Sequence, residues 1–418
     1  MECTRLDCFL MKVAERVARM KESSTLAVAA KAGAMRKQGI DLVAFGMGEP
    51  DFDTPVAVKR AAERALDAGM TKYVPTPGTP EARAAVAAKL RTENGIDCAP
   101  GHVAITAGAK HALYLTLQAL VDPGDEVVLP TPAWVSYRPL IELAGGTCIE
   151  VPGSLEHDFK VTPAQLEAAI GPRTVAVILN SPSNPCGIAY SPDEIRSLCA
   201  VIERHPHVTL VSDEIYEKLV YPEIAPGLRH FSPGSVPAIA GRTVTLNGMS
   251  KAFAMTGWRI GYVCAPGDDG RFLDQLVKLQ GQMTNNIPSF FMPAIVEALS
   301  PALVPEVESM RRAFAGRAAL VTELLRGIPR LRSVRSTGAF YSFPSVAACR
   351  GLRSPQGREI VDGTSYAEAL LAEAHVAVVP GADFGACAAD HVRLTFACQE
   401  SEIRRGLDRI ASFTESLR

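Results

Sequence analysis

Lys251 follows a strand-like apolar run in Thr243–Gly261 (TVTLNGMSKAFAMTGWRIG), and Arg259 comes eight residues after it. A lysine at the end of a buried strand loses water around its ammonium, which lowers its pKa and leaves a neutral amine able to form an imine with a carbonyl. Taken alone, such a lysine more often stays solvated. Asp213 ends a second run, Val208–Ser212, with Tyr216 close behind in SDEIY; a carboxylate there either faces a ligand or caps the next helix. A third run, Val175–Leu179, passes into Asn180–Gly187 (NSPSNPCG), a rigid turn able to present an Asn side chain at the same edge. A fourth, His102–Thr106, meets Ala107-Gly108-Ala109-Lys110 and then a helical pattern, whose free N–H groups suit a phosphate. Walker A spacing is absent, and Gly46–Asp51 lacks the third glycine of a dinucleotide fingerprint. A phosphate cradle, a buried carboxylate, an Asn and an imine-forming lysine at the strand ends of one sheet fit a phosphorylated aldehyde with a basic ring nitrogen, which is pyridoxal phosphate.

These groups can meet only if the chain sets its strand ends side by side. Between about residue 100 and residue 265, β-branched runs (His102–Thr106, Glu126–Leu129, Val175–Leu179, Thr209–Ser212, Thr243–Leu246) alternate with helical patterns such as Lys110–Val121 and Pro192–Arg204. This predicts an α/β fold with a mostly parallel sheet, and the continuous apolar strands imply helices over both faces. Past Ser300, charged Ala/Leu-rich helices (Glu306–Gly327, Ser365–Ala374) interleave with alternating strands (Ala339–Phe343, His391–Phe396), predicting a second, α+β domain. The N-terminal segment is its expected partner, with Ser23, Ser24 or Thr25 capping a helix that runs toward Gly39.

Composition narrows the function. The 418 residues carry 43 Lys+Arg against 45 Asp+Glu, a formal net charge of -2, so no broad basic surface for nucleic acid or an anionic membrane is expected. With 47% hydrophobic and 21% charged residues, the chain can bury a large core. No apolar stretch reaches the ~18 residues of a membrane helix. Met1–Met20 scatters charges where a secretory segment is apolar, so a cytoplasmic protein is expected. The ten cysteines include no Cys-x-x-Cys pair and read as reduced, mostly buried thiols; no metal is expected.

Further motifs accompany the four stretches: GEPDFDTP (Gly48–Pro55), TKY (Thr71–Tyr73), PAWVSY (Pro132–Tyr137), STGAFY (Ser336–Tyr341) and VRLTFA (Val392–Ala397). With VSDEIYE (Val211–Glu217) and SKAFAMTGWRIGY (Ser250–Tyr262), in one order over roughly residues 20 to 415, the chain resembles the fold type I, class I and II aminotransferases. Within them it is most similar to bacterial aspartate aminotransferases of the thermophile type. The resemblance implies a large domain (55–305) with a mostly parallel seven-stranded sheet between helices, and a smaller α+β domain from 1–54 and 306–418. It implies that Lys251 carries the cofactor, that Asp213 pairs with the pyridinium nitrogen, and that Asn184 and Tyr216 bond the ring oxygen. Arg259, Gly108 and Ala109 would hold the phosphate, Trp134 would pack beside the ring, and Gly48 would meet substrate through its backbone. Tyr73 would reach in from the neighbouring subunit of a homodimer, and Arg393 would grip the substrate α-carboxylate with two parallel hydrogen bonds.

A dicarboxylic amino acid needs a second cation. Some aspartate aminotransferases take an Arg of the partner subunit located before the long C-terminal helix, but no Arg occurs here between Arg271 and Arg311. The resemblance gives that role to Lys110, with Thr25 as a helper. A cation in the first helical turn opposes the helix dipole, which favours an anionic partner for Lys110. The expected reaction is reversible amino transfer between L-aspartate and 2-oxoglutarate by a ping-pong cycle, with Lys251, Asp213 and Tyr73 as the catalytic groups. The alternative is a prephenate, aromatic or broad-specificity aminotransferase: Ala133 stands where relatives often carry an aromatic residue and leaves room for a bulkier substrate. The bulky Asn285–Met292 (NNIPSFFM) is expected near the partner's site. A non-catalytic regulator built on this domain needs an N-terminal winged helix, for which some 20 residues are too few, whereas β-elimination of cysteine conjugates uses the same anchors.

Overall fold

Five apolar runs point the same way in one seven-stranded sheet of the computed structural model, which describes residues 11–20 and 24–418. The strand order is Val103–Thr106, Gly261–Cys264, Thr243–Gly248, Thr209–Asp213, Thr174–Asn180, Glu126–Thr131 and Thr147–Pro152. Only Gly261–Cys264 runs against its neighbours. Successive strand residues face opposite layers. Ala176 and Ile178 pack with Leu113, Leu117 and Leu273 on one side, while Val177 and Leu179 pack with Ile195, Leu198 and Ile202 on the other. Helices therefore cover both faces, as continuous apolar strands require. The sheet is longer than the five runs suggest: Glu126–Thr131 continues through Pro130, which pairs in register with Val151, and the partly exposed Thr147–Pro152 forms the edge.

Local chemistry sets the helices that matter. The helix Pro192–Glu203 starts from a reciprocal cap, Ser191 Oγ accepting from Glu194 N and Glu194 accepting from Ser191 N, with Pro at its first position. The helix Ala109–Leu120 starts instead at Gly108, at φ +87°, with no side-chain cap. Its first N–H groups have no carbonyl within the helix to bond.

The chain ends build a second layer. Val379–Pro380, Val392–Thr395 and Tyr341–Ser342 form an antiparallel three-stranded sheet, and Val43–Ala44 pairs in parallel with Val376–Ala377. These strands are shorter than the alternating runs: Ala339, at φ 54°, turns the chain before Tyr341. Phe314 of the helix Val304–Arg326, Tyr366 of Gly363–Ala374 and Leu407 of Glu400–Ser416 share one core with Val43 and Phe45. The helix Ser24–Lys37 packs Ala32 against Leu42, Leu371 and Ala377; the side chain of Thr25 lies outside the described residues. Among the described residues no single helix is long and apolar enough to cross a membrane, and the eight described cysteines are free.

Candidate active site

Parallel strands put their carboxyl ends on one edge, and the side chains singled out by their spacing gather there. Asn180 and Asp213 are register partners at the ends of adjacent strands, and Asp213 is in turn level with Leu246. The segment after Thr243–Gly248 folds back over this edge, because Gly248 pairs with Gly261 of the antiparallel strand and Met249 N donates to Ile260 O at 3.0 Å. That return places Lys251 and Arg259 together. A cavity of about 290 Å³ opens over the edge, lined by ten of the sequence-chosen residues: Gly48, Ala109, Lys110, Trp134, Asn184, Asp213, Tyr216, Lys251, Arg259 and Arg393.

Its floor is tied down by hydrogen bonds. Asp213, only 4% exposed, accepts from Tyr137 Oη at 2.8 Å and from Ile215 N at 3.2 Å. Burial raises its pKa to about 6 against those two bonds. A cation facing it is therefore stabilised strongly. Asn184 is fixed from both sides: its N–H donates to Asn180 Oδ1 at 3.1 Å, and its Oδ1 accepts from Arg393 Nη1 at 3.0 Å. Arg393, 1% exposed, also donates from Nη2 to Gly46 O at 2.7 Å, while its Nε has no partner among the described residues. Its guanidinium packs over the rings of Tyr341 and Phe384, at 4.7 and 5.3 Å from their centroids. The Tyr216 hydroxyl is 2.9 Å from that of Tyr341.

Lys251 Nζ donates to Gly48 O. Burial lowers its pKa to about 8; Glu49 opposes the shift, and the positive Arg393 and Arg259 add to it. About a tenth of it is thus neutral amine near pH 7, far more than for an ordinary lysine.

The fit to a phosphorylated cofactor rests on the helix start at Gly108. A Cβ on Gly108 would lie 2.5 Å from Arg259 Nη2, and one on Gly261 would lie 2.3 Å from Ala109 N, so both glycines let a guanidinium and a strand close on the first helical turn. Free N–H groups, the positive helix end and Arg259 converge on one point, which suits a dianionic phosphate. Lys110, Lys251, Arg259 and Arg393 all line the cavity, and among the described residues none of them is within ion-pair distance of a carboxylate, unlike Lys89 with Glu217 or Arg317 with Asp51. The residues present fit pyridoxal phosphate and anionic substrates.

At the rim, Lys110 is exposed, with Nζ 4.8 Å from the centroid of the Trp134 ring; burial of its stem and nearby Arg259 lower its pKa. Tyr73, 86% exposed, does not line the cavity. Ala133 does not open the cavity as its small size led one to expect: it lines a separate buried space of about 30 Å³ with Ser183 and Asn184, and its N–H donates to Phe384 O at 2.7 Å. In the Asn285–Met292 stretch, Phe291 packs on Trp258 with ring centroids 5.1 Å apart. Two groups had no assigned role in the sequence, Tyr137 and Tyr341. Each sits in a motif, PAWVSY and STGAFY, and the only signal available was a tyrosine within an otherwise chemical segment.

A sheet of this order, with a lysine, an Asp and an Asn on its carboxyl edge beside a phosphate cradle, defines the fold type I pyridoxal-phosphate transferases. The family model described as aminotransferase class I and II matches residues 40–410. An aspartate/prephenate aminotransferase of Cereibacter sphaeroides is 42% identical over 408 residues, 97% of this chain and 99% of the relative. An aspartate aminotransferase of Geobacillus stearothermophilus is 42% identical over 407 residues, 97% of this chain and 100% of the relative. Among solved structures, the aspartate aminotransferase of Rhizobium meliloti superposes with a TM-score of 0.92 at 39% identity, covering 98% of this chain and all of that one. The Thermus thermophilus enzyme with maleate gives a TM-score of 0.88 at 42% identity, over 97% of this chain. The chain belongs to the class I and II aminotransferases, and is a pyridoxal-phosphate-dependent transaminase of amino acids and 2-oxo acids.

Proposed function

We propose that the chain transfers the amino group reversibly between L-aspartate and 2-oxoglutarate, as a cytoplasmic homodimer working by a ping-pong cycle. One observation carries this reading: a cavity with the buried Arg393 at its floor and Lys110 at its rim, neither paired with a carboxylate among the described residues, fits a substrate with two carboxylates. Relatives over nearly the whole chain are named aspartate aminotransferase, and the Thermus thermophilus relative was solved with maleate, a dicarboxylate. The free cysteines support a reducing compartment. The high exposure of Tyr73 supports a dimer in which it completes the partner's site. A large part over 55–305 and a small part from 1–54 and 306–418 are supported by the shared core of Val43 and Phe45 with residues beyond 310.

Bound pyridoxal phosphate supplies an aldehyde that takes up the amino group and a ring that accepts the electron pair left at the substrate Cα. Arg259 and the N–H groups beginning at Ala109 bind the phosphate, with Gly108 leaving room for the guanidinium. Asp213 holds the proton on the ring nitrogen, and its own alignment comes from Tyr137. Asn184 and Tyr216 orient the ring oxygen, and Trp134 packs beside the ring. Arg393 grips the α-carboxylate through Nε and a neighbouring N–H, while Gly48 bounds the substrate through its backbone. Lys110 binds the second carboxylate. Lys251 Nζ would be the group that holds and moves the proton at the substrate Cα, a task suited to a pKa of about 8.

The test is the single-turnover spectrum of the holoenzyme mixed separately with L-aspartate, L-glutamate, L-phenylalanine and L-alanine. Rapid bleaching of the cofactor band with the two diacids alone is expected. Comparable rates with phenylalanine would replace this reading by a broad or aromatic one, for which prephenate is the next acceptor to try, since two relatives are named aspartate/prephenate aminotransferase.

A further inference from the structure

Tyr341 stands at a crossing point of the site. It opens the strand Tyr341–Ser342, paired through Thr395 and Leu394 to the strand that carries Arg393, so it belongs to the same sheet as the substrate-gripping arginine. Its ring lies under the Arg393 guanidinium at 4.7 Å and edge-on to Tyr216, with ring centroids 5.8 Å apart. Its hydroxyl is 2.9 Å from the Tyr216 hydroxyl, in the same cavity. A Cβ on Gly48 would lie 2.3 Å from Tyr341 Oη, so the glycine that accepts from Lys251 also makes room for this hydroxyl.

We propose that Tyr341 is a positioning residue for the cofactor, donating its hydroxyl proton to Tyr216 so that Tyr216 gives its own to the ring oxygen. The inference rests on the reading that Tyr216 faces that oxygen. Each phenol has one proton to give. Among the described residues Tyr341 Oη has no hydrogen-bond partner but Tyr216 Oη. Once an anionic oxygen takes the Tyr216 proton, the bond between the two hydroxyls can persist only with Tyr341 as donor. Two bonds in series polarise each other, so the outer hydroxyl strengthens the inner donation by about 10–30%. A better stabilised ring oxygen holds the neighbouring proton, shared with the lysine nitrogen, less tightly. The ring of Tyr341 has a separate task under Arg393, and the two tasks can be taken apart by substitution.

The experiment titrates the visible band of the holoenzyme and measures KM for L-aspartate in four variants. Tyr341→Phe keeps the ring and removes the hydroxyl: the band's midpoint should rise by about half a pH unit, with KM within about twofold of the parent. Tyr216→Phe should raise the midpoint further. The double variant Tyr216→Phe/Tyr341→Phe should match Tyr216→Phe, because Tyr341 acts only through Tyr216; a merely structural role would add the two shifts. Tyr341→Leu should raise the midpoint and also KM severalfold, since Arg393 loses its ring. An unchanged midpoint in Tyr341→Phe beside a shifted one in Tyr216→Phe overturns the inference and leaves the site reading standing. An unchanged midpoint in Tyr216→Phe overturns both.

Discussion

The floor and the rim of the cavity are built on different principles. At the floor, Asp213, Asn184, Tyr216 and Arg393 are each no more than 6% exposed and are held by Tyr137, Asn180, Tyr341 and Gly46. At the rim, Lys110 and Arg259 are exposed, and Tyr73 is 86% exposed and outside the lining. A floor locked by its own chain fixes the geometry of proton transfer before any substrate arrives. An exposed Lys110, with no carboxylate partner among the described residues, leaves choice among substrates to what approaches from outside. Chemistry and selectivity should therefore fail separately.

The largest effects belong to the floor. Lys251→Ala should lower kcat by on the order of 10⁴ or more if, as proposed, it is both proton carrier and covalent anchor; steady-state assays on cofactor-saturated protein check it. In cofactor-free protein, labelling of Lys251 by an amine-selective reagent should rise through a midpoint near pH 8, because burial disfavours the charged form and the neutral amine reacts. A midpoint near the ordinary lysine value of 10.5 would mean that the floor is wetter than it looks. Arg393→Lys replaces a fork by a point charge and strands Asn184 Oδ1 and Gly46 O. It should cost about 2–4 kcal/mol, roughly 30- to 10³-fold in kcat/KM, and equally for every amino acid, because each carries an α-carboxylate.

The same division governs what could be read from the chain. Lys251, Asp213 and Asn184 were legible because a strand end followed by a turn has few places to put a side chain in an α/β sheet. The holders of those groups were not. Tyr137 is 76 residues from the Asp213 it bonds, and Tyr341 is 125 residues from Tyr216, so no local pattern links them. The strand Gly261–Cys264 was not among the runs, yet its pairing with Gly248 is what turns an eight-residue spacing into a shared site. At the rim, residue types such as Lys110 could be read from the chain, while the exposure of Tyr73 follows from tertiary packing that no local pattern encodes.

Rim changes should be smaller and selective. Lys110→Ala removes a charge-assisted contact of about 1.5–3 kcal/mol, roughly 10- to 100-fold in kcat/KM for L-aspartate and L-glutamate. L-alanine should be almost untouched, and equal losses for all three would place Lys110 in the chemistry instead.

The smallest effect tests whether the floor is closed off from the rim. Ala133 is 8% exposed and lines the buried 30 Å³ space beside Ser183, whose Oγ has no partner among the described residues. That space is large enough for one water, with Asn180, Ser183 and Asn184 among its lining to bond it. Ala133→Val adds two methyl groups there, worth about 1.6 kcal/mol of apolar burial, and displacing a water from Ser183 costs a similar amount. Stability should thus change by less than about 1 kcal/mol, and the ratio of kcat/KM for L-phenylalanine to L-aspartate should stay constant. A fall in that ratio would show that aromatic side chains reach behind Asn184, which would join the two spaces and make the floor part of substrate choice.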